Sequence, residues 1–314
     1  MALDLNAVKM LLWAKNLGAS FEKVATLGRL GLVCSHHQLH RAFQDFGISC
    51  SREDIDRCLY RPPMGTVFAE EFLRFLGAKE VVSVDYSDFE GATMLHDLNK
   101  PFPESQQGRF TAVLDGGTLE HVFDYPAALR NCLELLCSGG HFVTIPPAHN
   151  HMGHGFYQFS PELFFRVFSA ENGFALRKMV LYESSKKDAP FYQVNDPAIT
   201  GYRTELVSKK AMSLIALAQR TANVPILLKP PLQSDYVAYW KQHGETPISV
   251  KTSSGLGQRI RIMLSPYWPF WLRYGKELFL YRRKYGPPRL SNQHHFRLLS
   301  RREIFNERSQ SQNV

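Results

Sequence analysis

The chain contains little that could tie it together covalently or anchor it. Its cysteines number five, at 34, 50, 58, 132 and 137, and no two have C-x-x-C spacing. An odd count without that spacing argues against a disulfide framework and against a structural zinc site built on thiolates. Long apolar runs are also missing. No stretch of about 18 apolar residues occurs, so no membrane-spanning helix is expected. The opening MALDLNAVKMLLWAKNLG has an acid near its start and no sustained apolar core, which is unlike a secretory leader. A reducing cytoplasm is the expected compartment. Internal repeats are absent as well.

What is present describes an ordinary globular chain. Of its 314 residues, 44% are hydrophobic and 21% charged, enough for a real core. The length suits one α/β domain with an appendage, because single cores stop growing near ~250–300 residues. The net charge of +8 is unevenly spread. Residues 251–314 hold 13 Lys/Arg against 3 Asp/Glu, or +10, which leaves −2 for the first 250. A near-neutral main part argues against nucleic acid as its substrate.

Patterning divides the chain into an N-terminal helix within 1–20, an α/β domain over 21–220 with an insertion at 32–64, and a linker with a basic extension over 221–314. Leu5, Val8, Leu11, Leu12 and Ala14 have helical spacing and Gly18 follows them. Apolar runs at 23–28, 80–85, 110–115, 141–146, 175–182 and 212–219 read as buried strands. Between them, 68–76, 125–137 and 160–172 read as helices, with Gly139-Gly140 stopping the second and Ser160-Pro161 starting the third. Alternation of this kind predicts a mostly parallel, roughly seven-stranded sheet with flanking helices. The insertion holds two short helical patterns, with Ser51 and Asp54 marking a helix start. Residues 183–205 read as a polar loop. The closing NERSQSQNV reads as disordered.

In an open parallel sheet, ligands bind beyond the carboxyl ends of the strands. The informative residues are therefore Gly28, Asp85, Asp115 and Pro146, with the loops that follow. Asp85 could accept two hydrogen bonds from a ribose diol, or it could simply cap its own turn.

Four segments in order, VVSVDYSDFEG, MLHDLNKPFP, FTAVLDGGTLEHV and LCSGGHFVTIPP, resemble successive motifs of the class I S-adenosylmethionine-dependent methyltransferases. The resemblance covers roughly 200 residues and implies a Rossmann-like fold with S-adenosylmethionine as cofactor. It implies that Asp85 holds the ribose hydroxyls, and that Asp97, with the Leu98 backbone nearby, accepts from the adenine amino group. Asp115, Gly116 and Gly117 would border the methionine end. Glu120 and His121 would line the donor site towards the substrate, although both also suit a plain turn. Two departures stand out. The first-strand loop reads Thr26-Leu-Gly28-Arg29-Leu-Gly31, with two glycines where the family has a glycine-rich turn, and without the acid that would face the cofactor amine. Only 11 residues separate Asp85 from Asp97, so the second helix is expected to shrink to a turn.

The loop after Pro146 carries His149, His151, His154 and Tyr157. Near-neutral imidazoles suit a general base towards an acceptor. The histidines could instead stabilise turns or hold a metal, but no further ligand is evident locally, and no metal is expected. In the extension, SPYWPFWLRYGKELFLYRRKYG mixes aromatics with Arg and Lys. Packing back on the domain with snorkelling cations is the favoured reading. Contact with an anionic membrane surface comes next, and nucleic acid last. The expected function is methyl transfer to oxygen or nitrogen of a small molecule or glycan, with His149, His151 or His154 as base. The alternative is a catalytically inactive scaffold or partner of the same fold. A nicotinamide enzyme fits poorly, because Asp85 lies 57 residues beyond Gly28 where about 20 are wanted.

Overall fold

A computed structural model describes residues 2–61, 65–243, 282–283 and 286–308. The aromatic and basic segment at 265–286 falls almost wholly outside the described residues, so the readings placed on it are not addressed by the structure.

The chain opens with a three-residue strand, β1 (Ala2–Asp4), and helix α1 (Leu5–Asn16). Asp4 caps that helix, its carboxylate accepting from the Ala7 amide at 2.8 Å. The spacing of Leu5, Val8, Leu11 and Leu12 suits one apolar face, as in an amphipathic helix, but α1 is buried on every side from Leu5 to Ala14. Its polar residues are satisfied inside the fold: Asn6 bonds the Lys186 carbonyl and the Ala189 amide, and Lys9 pairs with Asp188. Next come β2 (Lys23–Leu27), β3 (Gly31–Val33), α2 (His36–Asp45), α3 (Arg52–Cys58), α4 (Glu70–Phe75), β4 (Glu80–Asp85) and β5 (Met94–Leu95). Ser51 and Asp54 form a capping box at the start of α3, as their spacing suggests. Asp85 and Asp97 are joined through the two-residue β5 and turns, with no helix between them. The sequel is β6 (Phe110–Asp115), α5 (Tyr125–Glu134), β7 (Leu136–Thr144), β8 (Pro147–His149), α6 (Pro161–Val167), β9 (Phe174–Glu183), β10 (Tyr192–Val194), α7 (Pro197–Thr200), β11 (Met212–Arg220), α8 (Ser234–His243), β12 (Phe296–Leu298) and α9 (Arg301–Asn306).

The main sheet runs β5-β4-β2-β6-β7-β11-β9-β10-β12, with β8 added beside β11. From β5 to β7 all neighbours are parallel, and β11 lies antiparallel between β7 and β9. The first strand of the sheet, β2, therefore sits centrally, the order reverses beside it, and one reversed strand, β11, is inserted between β7 and β9. This is the Rossmann-like order of the class I methyltransferase fold. The crevice at a topological switch point opens beyond the ends of β2, β4 and β6.

Alternation along the strands feeds two layers. On β11, Ile215 and Leu217 join the core with α1 to α4, while Leu214, Ala216 and Ala218 join the core with α5 and α6. The insertion at 32–64 is thus part of a core: Leu39, Phe43, Phe46 and Ile55 are fully buried beneath α1. Among the described residues, no helix is long and apolar enough to cross a membrane.

Several expectations need correction. The sheet is wider than seven strands, because β8, β10 and β12 extend it. Residues 183–205 hold β10 and α7, not a plain loop. Helix α5 ends at Glu134 and β7 starts at Leu136, so Gly139-Gly140 lie inside a strand. The reason is a bulge: the register shifts between Phe110 and Ala112, and a Cβ at Gly140 would meet the Phe110 carbonyl oxygen at 3.0 Å. The Arg220 guanidinium secures this corner by donating to the Leu136 carbonyl at 2.6 Å. Near the C-terminus, Glu307 is held in place, accepting from Trp13 Nε1 at 3.0 Å and from Lys178 Nζ at 2.7 Å, although its local sequence reads as disordered.

Candidate functional site

The crevice has two halves, and the chain treats them differently. The half above β2 and β4 is where the family resemblance puts a nucleoside. Gly28 leaves β2 with φ +74° and donates its amide to the Val84 carbonyl. Arg29 then turns back across this half. Its Nε pairs with Glu70 at 2.6 Å, its Nη1 donates to the Glu90 carbonyl at 2.8 Å, and its guanidinium stacks 3.9 Å from the Phe68 ring centre. Leu30 follows, buried against Gly116, where an added Cβ would approach Leu30 Cδ2 to 2.9 Å and Leu3 Cδ2 to 3.8 Å. Leu3 lies on β1, which is paired in parallel with β3. Gly116, expected to border the methionine end of a cofactor, is therefore packed on one face by two buried leucines, while it stays half-buried and lines the cavity described below.

The carboxylates of this half have mostly local roles. Asp97 accepts from the Asn99 side-chain amide at 2.8 Å and the Asn99 backbone at 3.1 Å, and these bonds hold it below the usual carboxylate range. Leu98 is buried and its carbonyl accepts from Asn131. Asp85 is the freer acid, half-buried at the end of β4 with a 3.2 Å bond from the Ser87 amide. S-adenosylmethionine would find an acceptor for its ribose at Asp85. Leu3 and Leu30 narrow the space for its methionine end on one face of Gly116, and the cavity beyond Gly116 and Gly117 leaves the other face open.

The half above β6 and β7 is built by two close approaches. Asp115 ends β6 wholly buried. Its Oδ1 accepts from the Thr118 amide at 2.9 Å and its Oδ2 from the Thr144 hydroxyl at 2.6 Å. Burial raises its pKa against these bonds, and its carboxylate fixes the turn Leu119–His121 instead of facing a ligand. Thr118 completes the corner by donating to the Leu27 carbonyl at 2.6 Å. The loop 150–157 then folds onto this turn. The Phe156 amide donates to the Glu120 carbonyl at 2.7 Å, and a Cβ at Gly155, whose φ is +69°, would meet that oxygen at 2.8 Å. Only glycine tolerates both the approach and the left-handed backbone.

This packing brings Glu120, His121 and His154 together. His154 Nε2 lies 3.3 Å from Glu120 Oε1, and the His121 and His154 rings are 5.1 Å apart edge to face. Glu120 is 1% exposed. Burial, reinforced by the nearby Asp115 charge, pushes its pKa up to about 8. Burial and the proximity of His154 lower His121, and likewise His151. A cavity of about 310 Å³ is lined on one side by Ala2 and Asp4 and on the other by Gly116, Glu120, His121 and His154. Phe123 and Phe156 stand exposed nearby with their rings edge to face at 5.9 Å.

The remaining sequence candidates lie around this cluster. His151 borders the cavity, with Nε2 3.1 Å from Ser184 Oγ. His149 lies on β8 with Nε2 3.1 Å from the Ser208 carbonyl, engaged away from the cluster. The Tyr157 hydroxyl donates to the Phe123 carbonyl at 2.5 Å and ties the loop down. Sequence reasoning missed β1 and Leu30 as occupants of the crevice. Asp4 as a helix cap was the available signal for a strand end at residue 4, but nothing local shows that β1 lies over Gly116.

No family model matches the chain, and no curated protein matches it. Among solved structures, a methyltransferase from Mesorhizobium loti is 15% identical, with 68% of this chain and 98% of that one covered at a TM-score of 0.36. One described as putative from Listeria monocytogenes is 13% identical, covering 68% and 99%, at 0.37. The 1,6-didemethyltoxoflavin-N1-methyltransferase of Burkholderia thailandensis, solved with S-adenosylhomocysteine, is 13% identical, covering 69% and 78%, at 0.35. Likeness this distant carries no argument about activity. The fold assignment rests on the strand order.

Proposed function

We propose that the chain is a methyltransferase-fold enzyme that binds a small polar molecule or glycan in the cavity over β6 and β7, and that it transfers a methyl group from S-adenosylmethionine to an oxygen or nitrogen of that acceptor. The observation that carries this reading is the convergence of Glu120, His121 and His154 on one cavity at the carboxyl ends of the strands, where this fold binds ligands. Exposed Phe123 and Phe156 beside it offer apolar faces to a sugar or ring. A carboxyl at Glu120 that is mostly protonated at neutral pH and a neutral imidazole at His121 are the proton carriers in reach. His151 supports the loop. Movement of Leu3 and Leu30 away from Gly116 would widen the space for the donor. The cytoplasm is the compartment this reading assumes.

A second reading has its own observation. The burial of Leu3 and Leu30 against Gly116 favours a protein of this fold that has given up the donor and serves as a scaffold or partner. Calorimetric titration of the full chain and of Leu30→Ala with S-adenosylhomocysteine separates the two. Methyl transfer requires saturable binding by the native chain, stronger in Leu30→Ala. Silence from both proteins at high micromolar ligand would sink methyl transfer and leave the scaffold.

A further inference from the structure

Glu120 is a chemical anomaly on this surface. Its carboxyl is buried, yet among the described residues no Lys or Arg pairs with it, and its Oε2 has no hydrogen-bond partner at all. Unpaired buried carboxylates are costly and are normally neutralised by a proton, a cation or a metal. Two glycines with positive φ clear the space around it. A Cβ at Gly117 would come within 3.0 Å of Glu120 Oε1, and one at Gly155 within 2.9 Å of Glu120 Cγ. Among the described residues, the potential ligands that face the carboxyl are two imidazoles, and the N-terminal ammonium acts on it more weakly. One ligand atom from each of Glu120, His121 and His154 lies within 4.8 Å of the others.

We infer that Glu120, His121 and His154 form a binding site for a divalent transition-metal ion of the zinc type. Imidazole and carboxylate are the donors such ions take, at bond lengths of about 2.0–2.2 Å. Ligand atoms on a tetrahedral ion lie roughly 3.3 Å apart at those lengths, so the cluster, with its ligand atoms within 4.8 Å of one another, has to tighten by up to about 1.5 Å. The part that moves is the tip of the loop: His154 is half-exposed between Gly153 and Gly155. The acid supplies one negative charge and Asp115 adds a second nearby through the same turn. A divalent cation would answer both without any Lys or Arg. Three protein ligands leave a coordination position open to an oxygen of a small molecule in the cavity, which is how open metal sites differ from structural ones. His151, with its Nε2 committed to Ser184, stands beside the ligand set, not in it.

The site occupies the cleft assigned above to the acceptor, but it does not depend on donor binding. The test therefore uses the metal alone. The full chain, stripped with chelator, is titrated with Zn²⁺ by calorimetry and with Co²⁺ followed by visible absorption. The expected result is one ion per chain, with affinity falling as pH drops from about 8 to 6, because the ligands must lose their protons. Glu120→Gln and His154→Ala should each weaken binding more than tenfold, while His37→Ala, on the exposed face of α2, leaves it unchanged. His154 sits at a loop tip, so its removal keeps the fold, as circular dichroism would verify. Absence of saturable binding, or binding equal to the native chain in both Glu120→Gln and His154→Ala, overturns the site. A failed donor titration would leave it untouched.

Discussion

The two halves of the crevice lie at the ends of the same sheet, yet one is closed by apolar packing and the other is left with unsatisfied polar groups. Towards β2 and β4, Leu3 and Leu30 pack against one face of Gly116, Arg29 is paired with Glu70, and Asp97 is bonded to Asn99. Above β6 and β7, Glu120 Oε2 has no partner and two histidines face it across a cavity. Buried polar atoms without partners are rare and concentrate at functional sites. The contrast teaches that the fold's ligand-binding edge can be divided: the half expected to hold the donor is stabilised as core, and the half expected to hold the acceptor keeps its chemistry.

The sharpest division is between the two strand-end acids. Asp115→Ala should cost about 4 kcal/mol, since it strands the Thr118 amide and the Thr144 hydroxyl in the interior at about 1–3 kcal/mol each and removes the anchor of the Glu120 turn. Urea unfolding reads this directly. A loss below about 1 kcal/mol would mean that Asp115 is not structural and that the comparison is drawn in the wrong place. Next in size is Leu30→Ala. Truncating a buried leucine costs about 2–4 kcal/mol, and here it also uncovers Gly116. The variant should be less stable in urea while gaining affinity for S-adenosylhomocysteine. A stability loss with no gain would show that Leu30 is core and not a plug.

Much of this contrast could not be read from the sequence. The strand ends at Asp85 and Asp115, the capping box at Ser51, and the missing helix between Asp85 and Asp97 were legible because they depend on local pattern and spacing. The depleted loop at Gly28 was legible too, as an absence of glycine. What fills that space was not, because the contacts of Leu3 and Leu30 with Gly116 span more than 80 residues and leave no local trace. The histidines show the same limit. His149, His151 and His154 are equivalent on a list of residues, but β8 directs the first towards Ser208, and the glycines at 153 and 155 deliver the third to Glu120. The anchoring of Glu307 was illegible for a related reason: its partners, Trp13 and Lys178, lie far away in the chain.

The acceptor half should also betray itself in the pH dependence of stability. Glu120 has its pKa raised by burial from 4.5 to about 8, so the folded chain holds a proton that the unfolded chain releases. The stability this contributes is complete below about pH 4.5 and is lost as pH rises through 8, by about 2 kcal/mol in chelator once the shift is discounted for relaxation. His121 and His151, whose pKa values are lowered, act in the opposite sense and only below about pH 6.5, so the slope above that is the informative one. Thermal unfolding between pH 6.5 and 8 should fall for the native chain and stay flatter for Glu120→Gln. Parallel curves would remove the buried neutral acid from the site.

The smallest effect is expected at Asp85, and it decides what the donor half still is. Its carboxylate makes one 3.2 Å bond within its own turn, so Asp85→Ala should change stability by no more than about 0.5 kcal/mol. Its consequence for binding is visible only where the crevice has been opened. In the Leu30→Ala background, loss of the ribose acceptor should weaken S-adenosylhomocysteine at least tenfold, or about 1.4 kcal/mol. If the double variant binds as Leu30→Ala does, Asp85 is a turn cap. The donor half would then have lost its nucleoside contact as well as part of its methionine space. If affinity falls, the half is intact beneath its apolar cover, and what separates it from the acceptor half is the packing of β1 and Leu30 alone.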